Sequence, residues 1–164
     1  ADIVACRGYI EAAGWVRGAR YAVHGGTLPW SSTVSNARQA EVLAAYRAAG
    51  IRAIRKSSGV YKRLQSIALP SDPYLVQGAI QVTSTDVAQD IQDVCDRAEQ
   101  RGEWGVITLH RSVIDSATPG ALEIKNGVLN TALEYIAGRA RVGAVEVLPF
   151  GEAAARVYGL PYSY

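Results

Sequence analysis

The sequence predicts an α/β fold of alternating strands and helices with mainly parallel strands. Short apolar runs of strand length alternate with segments whose apolar residues repeat at helical spacing, and that order implies parallel strands joined by right-handed crossovers. The clearest helical repeat is Val87, Ile91, Val94, Cys95 and Ala98, closed by Gly102. The clearest strand is Trp104 to His110, directly after that helix. With 164 residues, 49% of them hydrophobic and 20% charged, the chain is long enough to bury one domain core without a disulfide staple.

Each element has its own signal. Ile3, Cys6, Ile10 and Ala13 start a helix that Gly14 and Gly18 punctuate, and Arg20 to Val23 follows as a short strand. Asn36 and Gln39 form a capping-box pattern for a helix carrying Ala40, Leu43 and Ala44 on one side, with Gly50 where a C-terminal cap belongs. Ile51 to Ile54 is the next strand. Between Lys56 and Pro73 the turn signals leave mostly loop, with room for a short strand. Leu75 to Val82 is expected to be a strand, and Thr85 to cap the helix that follows. Beyond the loop Ile114 to Gly120, a helix from about Leu122 to Ala137 presents Val128, Ala132, Tyr135 and Ile136 inward. Val142 to Leu148 is the last strand and Gly151 to Val157 a short terminal helix. No repeat or linker divides the chain, so residues 1–164 are expected to form a single domain or a C-terminal fragment of one.

Composition excludes several function classes. A net charge of +2 gives no case for nucleic-acid binding, and no apolar run is long enough for a membrane span. Arg52, Arg55, Lys56, Lys62 and Arg63 cluster in sequence and are expected to form a solvated basic face, an anionic ligand being the alternative. Cys6 and Cys95 lack metal-ligand spacing and are read as small buried apolar residues on helices. A chain with no methionine that begins inside a helical pattern reads as a processed product or a piece of a longer protein. GxGxxG, GxxxxGK[ST], GxSxG and HExxH are all missing, which removes the nucleotide, serine-hydrolase and zincin readings.

Two stretches carry chemistry. His110 ends the apolar run from Trp104, at the kind of strand terminus where α/β folds place catalytic groups; the alternative is a satisfied core or rim histidine. Asp72, Asp86 and Asp115 sit near strand ends and are candidates to orient it, although Asp86 also suits the first turn of a helix. In the second stretch, Tyr21 to Trp30, a strand leads into His24, Gly25 and Gly26. The glycines let backbone approach a ligand closely and Trp30 suits a sugar ring, whereas the plainer reading is a turn with Trp30 packed over it. Trp104 is read as core or rim packing.

Taken in order, these features resemble the C-terminal half of the NodB-homology polysaccharide deacetylases, a carbohydrate esterase family with a distorted (β/α) barrel. The likeness runs over most of the chain. The opening helix and Tyr21 to Gly26 resemble the family's helix and substrate-groove motif, with His24 where the family has proline. Ala48 to Ile54 is similar to its helix–glycine–strand step, Glu103 to His110 to its late strand motif, and Val142 to Val147 with Phe150 to Ala153 to its closing strand and helix.

The resemblance implies part of a distorted barrel and a role in hydrolysing acetyl groups from a polysaccharide or oligosaccharide. His110 would be, or support, the general acid that protonates the leaving group, and His24, Gly26 and Trp30 would contact substrate. The family's Asp-Asp and His-x-x-x-His motifs, which supply the base and hold a divalent, zinc-like ion, occur nowhere in the sequence. No cofactor or metal is therefore expected on this chain itself, and the metal-binding half is expected on a missing N-terminal segment or another chain that also covers the open sheet edge. Alone, the polypeptide is expected to be inactive. Two readings compete: a non-catalytic glycan-binding module of a cell-surface or phage-tail protein, and a complete doubly wound α/β domain with its ligand at the strand C-termini. The deacetylase and glycan-binding readings imply an extracellular, cell-surface or virion-associated setting.

Overall fold

Capping residues and glycines set most of the helix ends. The computed structural model describes residues 2–14, 20–23, 34–56, 65–66 and 72–161. The chain runs through α1 (Asp2–Ala12), β1 (Tyr21–Val23), α2 (Asn36–Ala48), β2 (Ala53–Lys56), β3 (Gln65–Ser66), a 3-10 turn (Pro73–Leu75), β4 (Val76–Gln77) and β5 (Ile80–Gln81). It continues through α3 (Ala88–Arg101), β6 (Glu103–Trp104), β7 (Ile107–Thr108), β8 (Arg111–Val113), β9 (Glu123–Lys125), α4 (Asn126–Arg141) and α5 (Phe150–Tyr158). The result is a mixed α/β fold with short, mostly parallel strands. Two compact units are formed, one from Ala1–Ser58, Pro70–Gln77 and Leu148–Tyr164, the other from Gly59–Leu69 and Gly78–Val147. Among the described residues no helix is long and apolar enough to cross a membrane.

In the first unit, β1, β2 and β4 form a parallel sheet, with Tyr21 opposite Ala53 and Arg55 opposite Val76. Ala49, Ile51 and Ile54 are buried beneath Ala22, Leu43, Tyr46 and Tyr74. The Tyr74 hydroxyl donates to the Ile51 carbonyl at 2.6 Å, and Arg47 lies 4.5 Å over the Tyr74 ring. Gly50 takes φ +72°, which ends α2, and Arg7 donates to the neighbouring Ala49 carbonyl. Tyr21 and Arg52 both donate to the Pro161 carbonyl, which ties the segment after α5 to the sheet.

In the second unit, β5 pairs with β7 and β8 with β9, both in parallel, while β3 pairs antiparallel with β6. Its core is aliphatic: Ala79, Ile80 and Val82 meet Ile91, Val94 and Cys95 of α3, Ile124 of β9, and Ala132 and Ile136 of α4. Along the α3–α4 contact runs a polar seam. Tyr135 donates to Asp96 at 2.5 Å, and Arg139 makes a two-point ion pair with Glu99.

Several expectations are corrected. The strand expected over Leu75 to Val82 breaks at Gly78 and changes partners, β4 joining β2 and β5 joining β7. A Cβ at Gly78 would stand 3.2 Å from Thr108 Oγ1, so this close approach suits glycine. The run Trp104 to His110 holds two separate strand pieces, the end of β6 and all of β7, rather than one buried strand, and residues 103–108 are only half-buried. Glu123 to Lys125, read as helix, is β9, because pairing with β8 overrides local helical preference. Val142 to Leu148 forms no strand; Gly143 turns at φ +75° and Val145 packs against the core without a ladder.

Caps differ as well. Ser35, not Asn36, caps α2, its Oγ accepting from Arg38 N at 3.3 Å. The helix after Thr85 starts later, with Asp90 reaching back to Val87 N at 2.9 Å, and Val87 is 56% exposed rather than inward. Cys95 is buried as expected, but Cys6 is exposed on α1. Of the basic cluster, Arg52 donates to the Pro161 carbonyl, Arg55 is half-buried so that desolvation lowers its pKa, and Lys62 and Arg63 lie outside the described residues.

Asp115 Oδ1 accepts from Gly127 N at 2.8 Å and so caps the start of α4 from outside the helix. Asp115→Ala is expected to cost about 1 kcal/mol, a typical value for a lost cap, in denaturant unfolding. A Cβ at Gly127 would lie 2.9 Å from Asp115 Oδ2, so Gly127→Ala and Asp115→Ala should be strongly non-additive. Glu99 offers a pH test. Its hydrogen bond from Arg139 lowers its pKa, so the folded carboxylate releases its proton more readily than the unfolded one. The stabilisation is thus present at neutral pH and lost as pH falls through the folded value. The Tm difference between wild type and Arg139→Met should shrink towards zero in acid; a pH-independent difference would assign it to packing of the arginine stem.

Candidate functional site

The second unit brings one sequence-predicted site residue into a defined polar setting. Burial of Ile80 and Val82 in the core fixes the alternation of β5, and Gln81 between them faces the other way. The parallel register sets Gln81 opposite Thr108 at the end of β7. The chain then passes through Leu109 and His110 before β8, and His110 Nε2 comes to 3.1 Å from Gln81 Nε2. His110 is exposed and Gln81 half-buried. Both stand at the C-terminal end of the β5–β7 pair.

The rim is built by short turns. After β5, Asp86 Oδ2 accepts from Thr83 N at 2.6 Å and from Thr83 Oγ1 at 2.8 Å, and Thr85 Oγ1 lies 3.1 Å from Thr83 Oγ1. Ser84 N donates to the Ala121 carbonyl at 3.2 Å, which brings the approach to β9 against this turn. Arg111 pairs with Glu123 at 3.3 Å, and the other Glu123 oxygen accepts from Gly120 N at 2.8 Å. Leu109, next to His110 in the chain, is 44% exposed, and Leu122, just before β9, is 42% exposed. An exposed imidazole thus follows β7 beside Gln81, on a rim whose turns are anchored by carboxylates.

None of the three aspartates singled out as orienting groups bonds to His110. Asp72 accepts from Tyr74 N at 2.9 Å and pairs with Arg47, Asp86 holds the Thr83 turn, and Asp115 caps α4. The residue in that place is Gln81, which sequence reasoning missed. Its signal was an amide in an otherwise apolar strand segment, Ala79 to Val82. His24, Gly26 and Trp30 lie outside the described residues.

Two chemistries find little support in these groups. Burial and the nearby Asp96 and Glu99 carboxylates push the Cys95 thiol pKa up, which disfavours the nucleophilic thiolate. Among the described residues no group of three or more His, Cys, Asp and Glu could hold a metal ion, so the ligand set of a deacetylase ion does not fit the residues seen here. What the arrangement can do is move a proton: an imidazole held at one nitrogen by a neutral amide can give or take a proton at the surface.

No protein-family model, curated protein or solved structure matches the chain. The turn beside His110 depends on Asp86, so Asp86→Ala is expected to lower stability by about 1–3 kcal/mol, as for hydrogen bonds to a charged acceptor, while Asp86→Asn loses less. Equal losses in urea unfolding would show that the carboxylate charge plays no part in the turn.

Proposed function

We propose that this chain supplies the acid side of a carbohydrate esterase resembling the polysaccharide deacetylases, acting on an acetylated glycan. The supporting observation is the placement of His110, an exposed imidazole just past the C-terminal end of parallel β7 and held by Gln81 of β5. Ester or amide hydrolysis needs a proton for the departing sugar oxygen or nitrogen, and an oriented imidazole can supply one. The exposed Leu109 next to it in the chain suits a small acyl group better than a charged one. His24, Gly26 and Trp30 remain the proposed glycan contacts.

The described residues do not provide the ion that this family uses to activate water, so its ligands would come from elsewhere. The test is acetate release from acetylated oligosaccharides by a longer polypeptide in which this chain is joined to a segment bearing Asp-Asp and His-x-x-x-His motifs. Release should require a divalent ion, and His110→Ala should reduce it by roughly 10²–10⁴-fold, as for loss of an acid/base group. Undiminished turnover in His110→Ala would overturn the role given to His110. Glycan binding without release under any metal would instead make the chain a non-catalytic binding module.

A further inference from the structure

Asn126 and Gly127 open α4, and an asparagine followed by glycine is chemically labile. In deamidation Gly127 N attacks Asn126 Cγ, the new C–N bond closes a succinimide ring, and the side-chain nitrogen leaves as ammonia with the proton given up by Gly127 N. Water then opens the ring. Attack at the former side-chain carbonyl leaves aspartate, and attack at the main-chain carbonyl leaves isoaspartate, which lengthens the backbone by one carbon. Glycine promotes the reaction because it has no Cβ to shield its nitrogen or to restrain the turn that the ring requires.

The structure sets a carboxylate against the attacking atom. Gly127 N donates to Asp115 Oδ1 at 2.8 Å, so that bond must break before the nitrogen can reach Asn126 Cγ. The amide would also have to lose its proton beside a negative charge, which disfavours the amide anion. We propose that Asp115 protects the Asn126–Gly127 linkage from deamidation by holding Gly127 N–H.

The same contact accounts for a labile pair at this position. A Cβ on residue 127 would stand 2.9 Å from Asp115 Oδ2 and 3.2 Å from Oδ1, so the close approach of the carboxylate suits glycine. The glycine that admits Asp115 is thus the one that makes Asn126 reactive. An isoaspartate there would lengthen the chain between Ile124 of β9 and Ala132 and Ile136 of α4, all buried in one aliphatic cluster. This role for Asp115 is independent of the esterase reading.

The experiment incubates the full 164-residue chain in mildly alkaline buffer and digests it with pepsin in acid, where deamidation is slow. Mass spectrometry with fragmentation then locates aspartate and isoaspartate at residue 126. Folded wild type should convert more slowly than the same chain unfolded in urea. Asp115→Ala should speed conversion roughly tenfold, as for loss of one hydrogen bond to a charged acceptor. Asp115→Asn, whose side-chain oxygen still accepts from Gly127 N, should keep most of the protection. Arg139→Met, which loosens the other end of α4, should leave the rate at Asn126 nearly unchanged.

A wild-type rate in Asp115→Ala would overturn the inference by assigning the protection to helical geometry alone, and a slower rate would make the carboxylate a base that promotes attack. Equal acceleration in Arg139→Met would overturn it too, because general loosening of the helix would then explain the effect. Equal rates in folded and unfolded wild type would do so without any variant.

Discussion

The position of β5 depends on an aliphatic cluster more than on its own ladder. Strands of two residues make too few hydrogen bonds to hold themselves, and the β5–β7 pair is that short. What fixes it is the burial of Ile80 and Val82 against Ile91 and Val94 of α3 and against Ile124, Ala132 and Ile136. At about 25 cal/mol per Å² of apolar surface removed from water, burying each of these side chains is worth on the order of 1.5–3 kcal/mol, more than a typical net hydrogen bond. With Ile80 and Val82 committed inward, Gln81 has one face left to it. The polar setting of His110 thus follows from apolar packing on the opposite side of the strand.

That dependence explains what was legible in the sequence. The helices were read with fair accuracy, because α3 carries its buried residues at regular spacing and glycines at positive φ close α2, α3 and α5. The strands were read as longer and more continuous than they are. Their breaks at Gly78 and around Gly105 are set by which neighbour each piece finds, and local apolar pattern does not encode the neighbour. Glu123 to Lys125 merges in sequence with the helical pattern that follows it, and only pairing with Arg111 to Val113 makes it a strand.

The same distinction holds for the site. His110 was visible as a polar head at the end of an apolar run. Its partner was not, because glutamine is not ionisable and gives no such signal, and the three aspartates singled out near predicted strand ends are structural acceptors for backbone N–H groups. The α3–α4 seam shows the complementary case. Tyr135, Asp96, Glu99 and Arg139 make a titratable cluster whose groups are paired with one another, Asp96 raising the Tyr135 pKa and Arg139 lowering that of Glu99. Perturbed ionisation there marks an interhelical clasp, whereas the proton-transfer candidate is held by a neutral amide.

The β8–β9 pair is unusual in its connection. Parallel neighbours ordinarily need a crossover of a dozen or more residues, commonly a helix, yet residues 114–122 alone join these strands. The bond from Gly127 N to Asp115, twelve residues apart, closes the same stretch a second time. Short closure carries a small entropic cost, and contacts of low sequence separation favour fast folding. The β8–β9 side of the rim is thus assembled from neighbours in sequence, whereas the Thr83 to Asp86 turn on its other side joins it from farther along the chain, through the bond from Ser84 N to the Ala121 carbonyl.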